Sequence, residues 1–379
     1  MSFQVPDYIR TLVPYVPGKP IEETQREFKI KKVIKLASNE NPLGPSPRAI
    51  KAMQSRLRDV HRYPDGGGYH LKQALSEHLG VVPQSLILGN GSNEVIDHLI
   101  RTYCIPGDAI VTHQASFIAY KICAQVHGVR TLEASINSAL KFDLDELVSL
   151  VKKDEKAKIV FLANPNNPTG TYLTTQELRG LTEALSRIRG GSVLLVLDYA
   201  YWEYVTAEDL PNALNLLKEY PNLIVLRTFS KVYGLAGMRI GYGVAAPEVI
   251  SHLEKVRQPF NINSLALIAA QHALLDSVFV KKARQVNTKG MKFWEKQLNR
   301  IGIPFWSSQG NFILANVQEG LGKSGLEVHQ ACLKQGVIFR PVANYGLPHA
   351  LRISIGTAEE NEWAAEVLDS KKVNERKRK

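Results

Sequence analysis

Thr228-Phe-Ser-Lys-Val-Tyr-Gly-Leu-Ala-Gly-Met-Arg-Ile-Gly-Tyr242 continues an apolar run that begins at Leu223; it puts a lysine, Lys231, just past that run and an arginine, Arg239, eight residues on. Most lysines are solvated surface cations. The company of this one argues otherwise. Thr228 and Ser230 carry hydroxyls, Gly234 and Gly237 let backbone come close, and Arg239 offers a fixed fork of donors that suits a phosphate. An amine attacks a carbonyl only when neutral, so a lysine meant for covalent chemistry needs a desolvated or cationic setting that lowers its pKa. The apolar neighbours and Arg239 are placed to supply both.

Apolar runs near residues 86, 109, 130, 159, 193, 224 and 240, most of them separated by helix-length segments, predict an α/β fold with a doubly wound, mostly parallel seven-stranded sheet. Several run into chemistry-bearing turns. Leu86-Ile-Leu-Gly-Asn-Gly-Ser-Asn-Glu94 leads from strand to helix, and its glycines put free backbone amides at a helix N-terminus, an anion site. Glu94 stands where a dinucleotide fingerprint has its third glycine and no Walker lysine follows, so those two readings fail. Asn164-Pro-Asn-Asn-Pro-Thr-Gly170 closes another strand, and Val193-Leu-Leu-Val-Leu-Asp198 ends on a carboxylate that is costly there unless paired. Asn167, Asp198 and Lys231 are each about one β-α unit apart, which brings all three to one rim of the sheet.

After Pro259-Phe-Asn-Ile-Asn263 the pattern changes. A long helix with Phe279, Ala283, Val286, Gly290, Trp294, Leu298 and Ile301 on one face precedes short strands and a final helix that Thr357 and Glu360 cap. The expected organisation is an arm (1–34), a large domain (35–260), a smaller α/β domain (261–370) and a basic, disordered tail (371–379). Arg340 and Arg352 fall inside apolar strands of the smaller domain, where a lone cation is expensive. Either buried ion pairs or substrate anions must answer them.

Taken in order, these motifs resemble the class I/II aminotransferases, pyridoxal-phosphate enzymes of fold type I, over roughly 39–356. The resemblance implies that pyridoxal 5'-phosphate is held covalently by Lys231, which also acts as the catalytic base. It puts Asp198 behind the ring nitrogen, Phe117 against the ring face, and Asn167 and Tyr201 on the phenolic oxygen. Ser92, Asn93, Thr228, Ser230 and Arg239 become the phosphate cradle, completed by Tyr63 reaching across the interface of a homodimer. Arg352 becomes the clamp for a substrate carboxylate and Arg340 the site for a distal anion, with Asn39 and Tyr15 at the entrance. For Tyr15 and Phe117, plain packing is the alternative. The implied partners are small molecules, a phosphate-bearing amine with glutamate or 2-oxoglutarate; aromatic amino acids, prephenate or threonine phosphate are the competing substrates on the same scaffold. Two departures stand out: Ala115 where the family often has proline, and Tyr199 where it usually has glutamate.

With 379 residues, 44% hydrophobic and 22% charged, the chain is ordinary for a globular protein. Three widely spaced cysteines, Cys104, Cys123 and Cys332, read as free thiols of a reducing cytoplasm, and the ten histidines show no metal-ligand spacing. No metal, no membrane and no signal peptide are expected. Of the net charge of +11, the tail supplies six positive charges and one negative, which leaves +6 for the rest. No nucleic acid is expected, because basic residues interleaved with aromatics on one face are missing and the residues before the first motif are too few for a DNA-binding module. A mildly basic body suits ligands that bear phosphate.

Overall fold

The structure, a computed structural model, describes residues 3–15, 17–370 and 373, so all of the expected disordered tail except Val373 lies outside the described residues. Strand β1 (Ile34–Lys35) comes first. The central sheet follows with β2 (Leu86–Gly89), β3 (Ala109–His113), β4 (Arg130–Ala134), β5 (Ala157–Ala163), β6 (Leu194–Asp198), β7 (Leu223–Thr228) and β8 (Gly241–Val244). Their order is β2-β8-β7-β6-β5-β3-β4, and only β8 runs against the others.

Alternation along the strands explains why both faces are apolar. In β6, Leu195 and Leu197 pack with Val160, Leu162 and Val225 under the helices Leu144–Lys153 and Thr175–Ser186. Leu194 and Val196 point the other way, toward Ile159, Phe161 and Ile224 and the helices Ser92–Tyr103 and Pro247–Val256. Such double burial is what a parallel sheet requires. Register then fixes the rim: Ala163 pairs with Asp198, and Asp198 pairs with Leu226, so the loops after β5, β6 and β7 open side by side.

A second, antiparallel sheet holds β9 (Phe305–Trp306), β10 (Phe312–Ala315), β12 (Arg340–Val342) and β13 (Leu347–Ser354) in the order β12-β13-β10-β9, while β11 (Val337–Ile338) pairs in parallel with β1. Its core joins Ile313, Leu351 and Ile353 to Trp294, Leu298 and Leu368, and takes in Ile34 and Leu36. The end of the N-terminal segment is therefore part of this second core rather than an arm lying over it. At the other expected boundary, the helix Ser264–Leu274 packs with Ala49, Leu71 and Tyr242 of the larger unit, because Ala266, Ala269, Ala270 and Ala273 let it lie close to the helix Pro47–Arg56.

On the long helix Ser277–Ile301 the buried stripe contains Asn287, with Val286 only half-buried. Asn287 Nδ2 donates to the Gly310 carbonyl (3.2 Å). Gly290 sits where an added Cβ would come within 2.3 Å of Ile355 Cγ2. Alanine in a helix interior ordinarily gains about 1 kcal/mol over glycine, but overpacking a closed core costs about 1–3 kcal/mol. Gly290→Ala is expected to lower stability by roughly 1–2 kcal/mol in denaturant unfolding, and a more stable variant would contradict this packing.

Candidate active site

At the rim formed by β5, β6 and β7, facing β12 and β13, lies an open cavity of roughly 930 Å³. It is lined by fourteen residues singled out from the sequence: Tyr15, Asn39, Ser92, Asn93, Phe117, Asn167, Asp198, Tyr201, Thr228, Ser230, Lys231, Arg239, Arg340 and Arg352.

Lys231 reaches the cavity from the turn after β7. Its Nζ donates to the Ser38 carbonyl (3.3 Å) and lies 5.5 Å from the centre of the Tyr201 ring. Burial, and after it the guanidinium of Arg352, pull its pKa down to about 8. The turn is clamped from outside: Asn41 Nδ2 donates to the Val232 carbonyl (2.7 Å), and Gly234, at φ +68, has no room for a Cβ because the Gly44 carbonyl would stand 2.0 Å away. The Asn39-Glu-Asn-Pro42 stretch thus braces the lysine, and Ser38 takes part through a backbone oxygen that no side-chain pattern encodes.

Asp198 ends β6, buried, and makes no ion pair among the described residues. Burial raises its pKa to about 6, against a lowering by a hydrogen bond that Tyr120 Oη donates to Oδ2 (3.0 Å) and another from the Ala200 amide to Oδ1 (3.1 Å). A buried carboxylate so placed is completed by a cation in the cavity. Sequence reasoning missed Tyr120. Its place three residues after Phe117, on the helix Ala119–Val126, was the available signal.

The phosphate-sized end of the cavity is built on close backbone approach. Gly91 has φ +77, and a Cβ there would meet Arg239 Nη2 at 2.4 Å; a Cβ on Gly241 would meet the Ser92 amide nitrogen at 2.4 Å. The first turn of Ser92–Tyr103 therefore opens onto Arg239, whose Nη1 donates to Ser230 Oγ (3.4 Å). Thr228 Oγ1 accepts from the Ser230 amide (3.1 Å). Helix amides, two hydroxyls and a guanidinium converge, which is a donor set for a dianionic phosphate. Together with the unpaired Asp198, it fits the cofactor that the sequence motifs imply.

Opposite stand two arginines. Arg340 and Arg352 are direct cross-strand partners on β12 and β13. Like charges in that relation repel. Arg352 is buried, donates through Nη1 to Asn167 Oδ1 and through Nη2 to the Ala37 carbonyl (2.6 Å), and leaves Nε without a partner among the described residues. With Asn167 Oδ1 so engaged, its Nδ2 remains as a donor toward the cavity. Tyr201 Oη accepts from Asn39 Nδ2 (3.0 Å), and Asn39 Oδ1 accepts from Ser354 Oγ (2.7 Å), so the two sheets are tied through the site.

Residues 31–368 match the family described as aminotransferase class I and II. The chain belongs to that family. Among curated relatives, this aminotransferase is 48% identical over 358 residues to the histidinol-phosphate aminotransferase of Anaeromyxobacter sp. (strain Fw109-5), covering 94% of this chain and 96% of the relative. It is 45% identical over 355 residues to that of Moorella thermoacetica, covering 93% and 89%. Among solved structures it resembles histidinol-phosphate aminotransferase from Sinorhizobium meliloti in complex with pyridoxal-5'-phosphate, with a TM-score of 0.86 at 27% identity over 97% of both chains. Thermus thermophilus aspartate aminotransferase with maleate shares the fold, with a TM-score of 0.82 at 18% identity, covering 97% of this chain and 99% of that one.

Within a single chain of this aminotransferase, Tyr63 does not reach the cavity. It is 83% exposed and stacked on Phe260 at 4.8 Å, so it points away from its own site. Ala115 has φ +53, a conformation closed to proline, whose ring fixes φ near −65°. Tyr199 rebuilds the surroundings that a glutamate would shape in another way. Its Oη donates to the Pro211 carbonyl (2.8 Å) and its ring stacks on Trp202 (5.3 Å), which in turn carries the Arg227 guanidinium (5.0 Å). Tyr345, in the turn between β12 and β13, also lines the cavity and was not singled out from the sequence. No single helix among the described residues is long and apolar enough to cross a membrane.

Proposed function

We propose that this aminotransferase uses pyridoxal phosphate to move the amino group of histidinol phosphate to 2-oxoglutarate, giving imidazole acetol phosphate and glutamate in histidine biosynthesis. The observation that carries the reading is the cross-strand pair Arg340 and Arg352 facing a pocket that already has one phosphate cradle. Two further cations suit substrates that bring their own phosphate or second carboxylate. The names of its relatives support the same choice.

When bound, pyridoxal phosphate supplies an aldehyde that captures amines and a cationic ring that takes up the electron pair left by a departing α-proton. The chain does the rest. Lys231 Nζ, with a pKa of about 8, accepts the proton from the substrate's α-carbon close to neutrality. Asp198 would answer a protonated ring nitrogen and keep it so, with its carboxylate oriented by Tyr120. Phe117 would pack against the ring, and Asn167 and Tyr201 would hold the phenolic oxygen. Ser92, Asn93, Thr228, Ser230 and Arg239 hold the phosphate, joined by Tyr63 from the second subunit of a homodimer. Arg352 binds the substrate anion nearest the α-carbon and Arg340 the distal one, with Asn39 and Tyr15 closing the entrance. A cytoplasmic location completes the proposal.

Uptake of pyridoxal phosphate by the cofactor-free chain is expected to quicken with rising pH up to about 8, as Lys231 loses its proton, and to level off above. Stopped-flow absorbance reads this, and a pH-independent rate would contradict the neutral-lysine account. Substrate choice is tested by turnover with histidinol phosphate against phenylalanine at equal concentration. Faster turnover of phenylalanine would replace histidinol phosphate with an aromatic donor.

A further inference from the structure

Glu94 follows the cradle residues Ser92 and Asn93 without itself lining the cavity. It lies in the first turn of the helix Ser92–Tyr103, where a carboxylate is favoured by the helix dipole but also competes for the positive end that a phosphate needs. Its position is accounted for by a continuous chain of hydrogen bonds. Glu94 Oε2 accepts from the Asn90 amide (2.6 Å) and from Asn261 Nδ2 (2.6 Å). Asn261 Oδ1 accepts from Arg257 Nη1 (2.8 Å), Arg257 Nε donates to Glu254 Oε2 (2.8 Å), and Lys72 Nζ donates to Glu254 Oε1 (2.8 Å). Two carboxylates and two cations alternate through the asparagine. Burial tends to raise the pKa of Glu254, yet the bonds from Lys72 and Arg257 bring it below the ordinary value.

The chain has two ends with different duties. At one, Asn90 lies between Gly89 and Gly91 in the turn that delivers the Ser92 amide to the cavity, so the bond to Glu94 fixes the curl of that turn. At the other, Asn261 follows Phe260, a non-glycine residue at φ +54 whose ring carries the outward-facing Tyr63.

We propose that Glu94 is a positioning residue for the phosphate end of the cofactor. It locks the turn 89–92 through the Asn90 amide, while Asn261 and the Arg257-Glu254-Lys72 relay draw its charge away from the opening. The same loop, 260–261, sets the cradle of its own subunit and the tyrosine offered to the next. This rests on the reading that the pocket takes pyridoxal phosphate.

The test uses the full-length protein loaded with pyridoxal phosphate. Release of the cofactor after large dilution is followed by absorbance, with the phosphorus resonance of the bound cofactor recorded alongside. Glu94→Ala is expected to release it about ten- to a hundredfold faster and to shift that resonance. Glu94→Gln keeps one acceptor for the Asn90 amide and is expected to recover much of the difference. Asn261→Ala, which leaves Glu94 held by the Asn90 amide alone, is expected to fall between and serves if the Glu94 variants fold poorly. Release at the unaltered rate in Glu94→Ala or Asn261→Ala, or a lowered melting temperature with an unmoved resonance, overturns the proposal. If the unaltered protein binds no pyridoxal phosphate, the functional reading itself fails and this inference falls with it.

Discussion

Lys231→Ala is expected to cut transamination by about 10⁴-fold or more, since it removes both the covalent anchor and the base in one change. Borohydride reduction of the loaded protein should fix the cofactor on the peptide containing Lys231 in the unaltered chain and nowhere in the variant. Labelling of any other lysine would sink the assignment. The same substitution has an opposite effect on the empty protein. Lys231 has a folded pKa of about 8 against 10.5 for the free side chain, so folding must hold a desolvated cation at every pH below about 8. That cost shrinks as pH rises from 8 to 10.5 and is gone above, where both states are neutral. Cofactor-free Lys231→Ala should therefore melt at or above the temperature of the unaltered cofactor-free chain at pH 7, and the gap should close in strong alkali. With cofactor present the order reverses, because the unaltered chain gains the stabilisation of its ligand.

Arg352→Lys should lower kcat/KM for glutamate by roughly 30- to 1000-fold, the equivalent of about 2–4 kcal/mol for breaking a buried charge-assisted clamp. Charge is kept in that variant, so the loss reports geometry: an ammonium cannot fork between a substrate anion and the Ala37 carbonyl as the guanidinium of Arg352 can. Arg352→Gln separates the electrostatic part. Arg352 is the second cause of the low pKa of Lys231 after burial, so its removal should move the lower limb of the pH profile upward. An unmoved limb, or kcat/KM within about threefold of unaltered protein in Arg352→Lys, would place the substrate anion elsewhere.

The central sheet was legible because all of its strands but the edge strand β4 are buried, and most are set off by helix-length segments, so apolar runs mark it. The pocket was legible for a related reason. Asn167, Asp198, Thr228 and Lys231 sit at or just past strand ends, and parallel strands bring their ends to one rim. What escaped depended on long-range geometry. Ile34 pairs with Val337 some three hundred residues away, and a two-residue strand has no periodicity to betray it. The helix Ser264–Leu274 follows the break in pattern at 259–263 yet packs backward onto Pro47–Arg56, a choice made by alanine-sized contacts that leave no polar face to read. Tyr120 is named only by its bond to Asp198, and Ser38 works through its carbonyl. Tyr63 is the reverse case: the sequence motif points to it, and a single chain leaves its ring outside the pocket.

The pairing of Ile34–Lys35 with Val337–Ile338 also sets a timetable for biosynthesis. While the polypeptide emerges from the ribosome, all seven strands of the central sheet are available once Val244 has been made, but Leu36 lacks its backbone partners until Ile338, whose carbonyl accepts from the Leu36 amide, and Ser354, whose amide donates to the Leu36 carbonyl, have followed. A nascent chain halted before that point has the floor of the pocket without its side. A chain truncated ahead of β13 keeps Lys231, Asp198 and the phosphate cradle but lacks Arg352 and the Ser354 hydroxyl that holds Asn39.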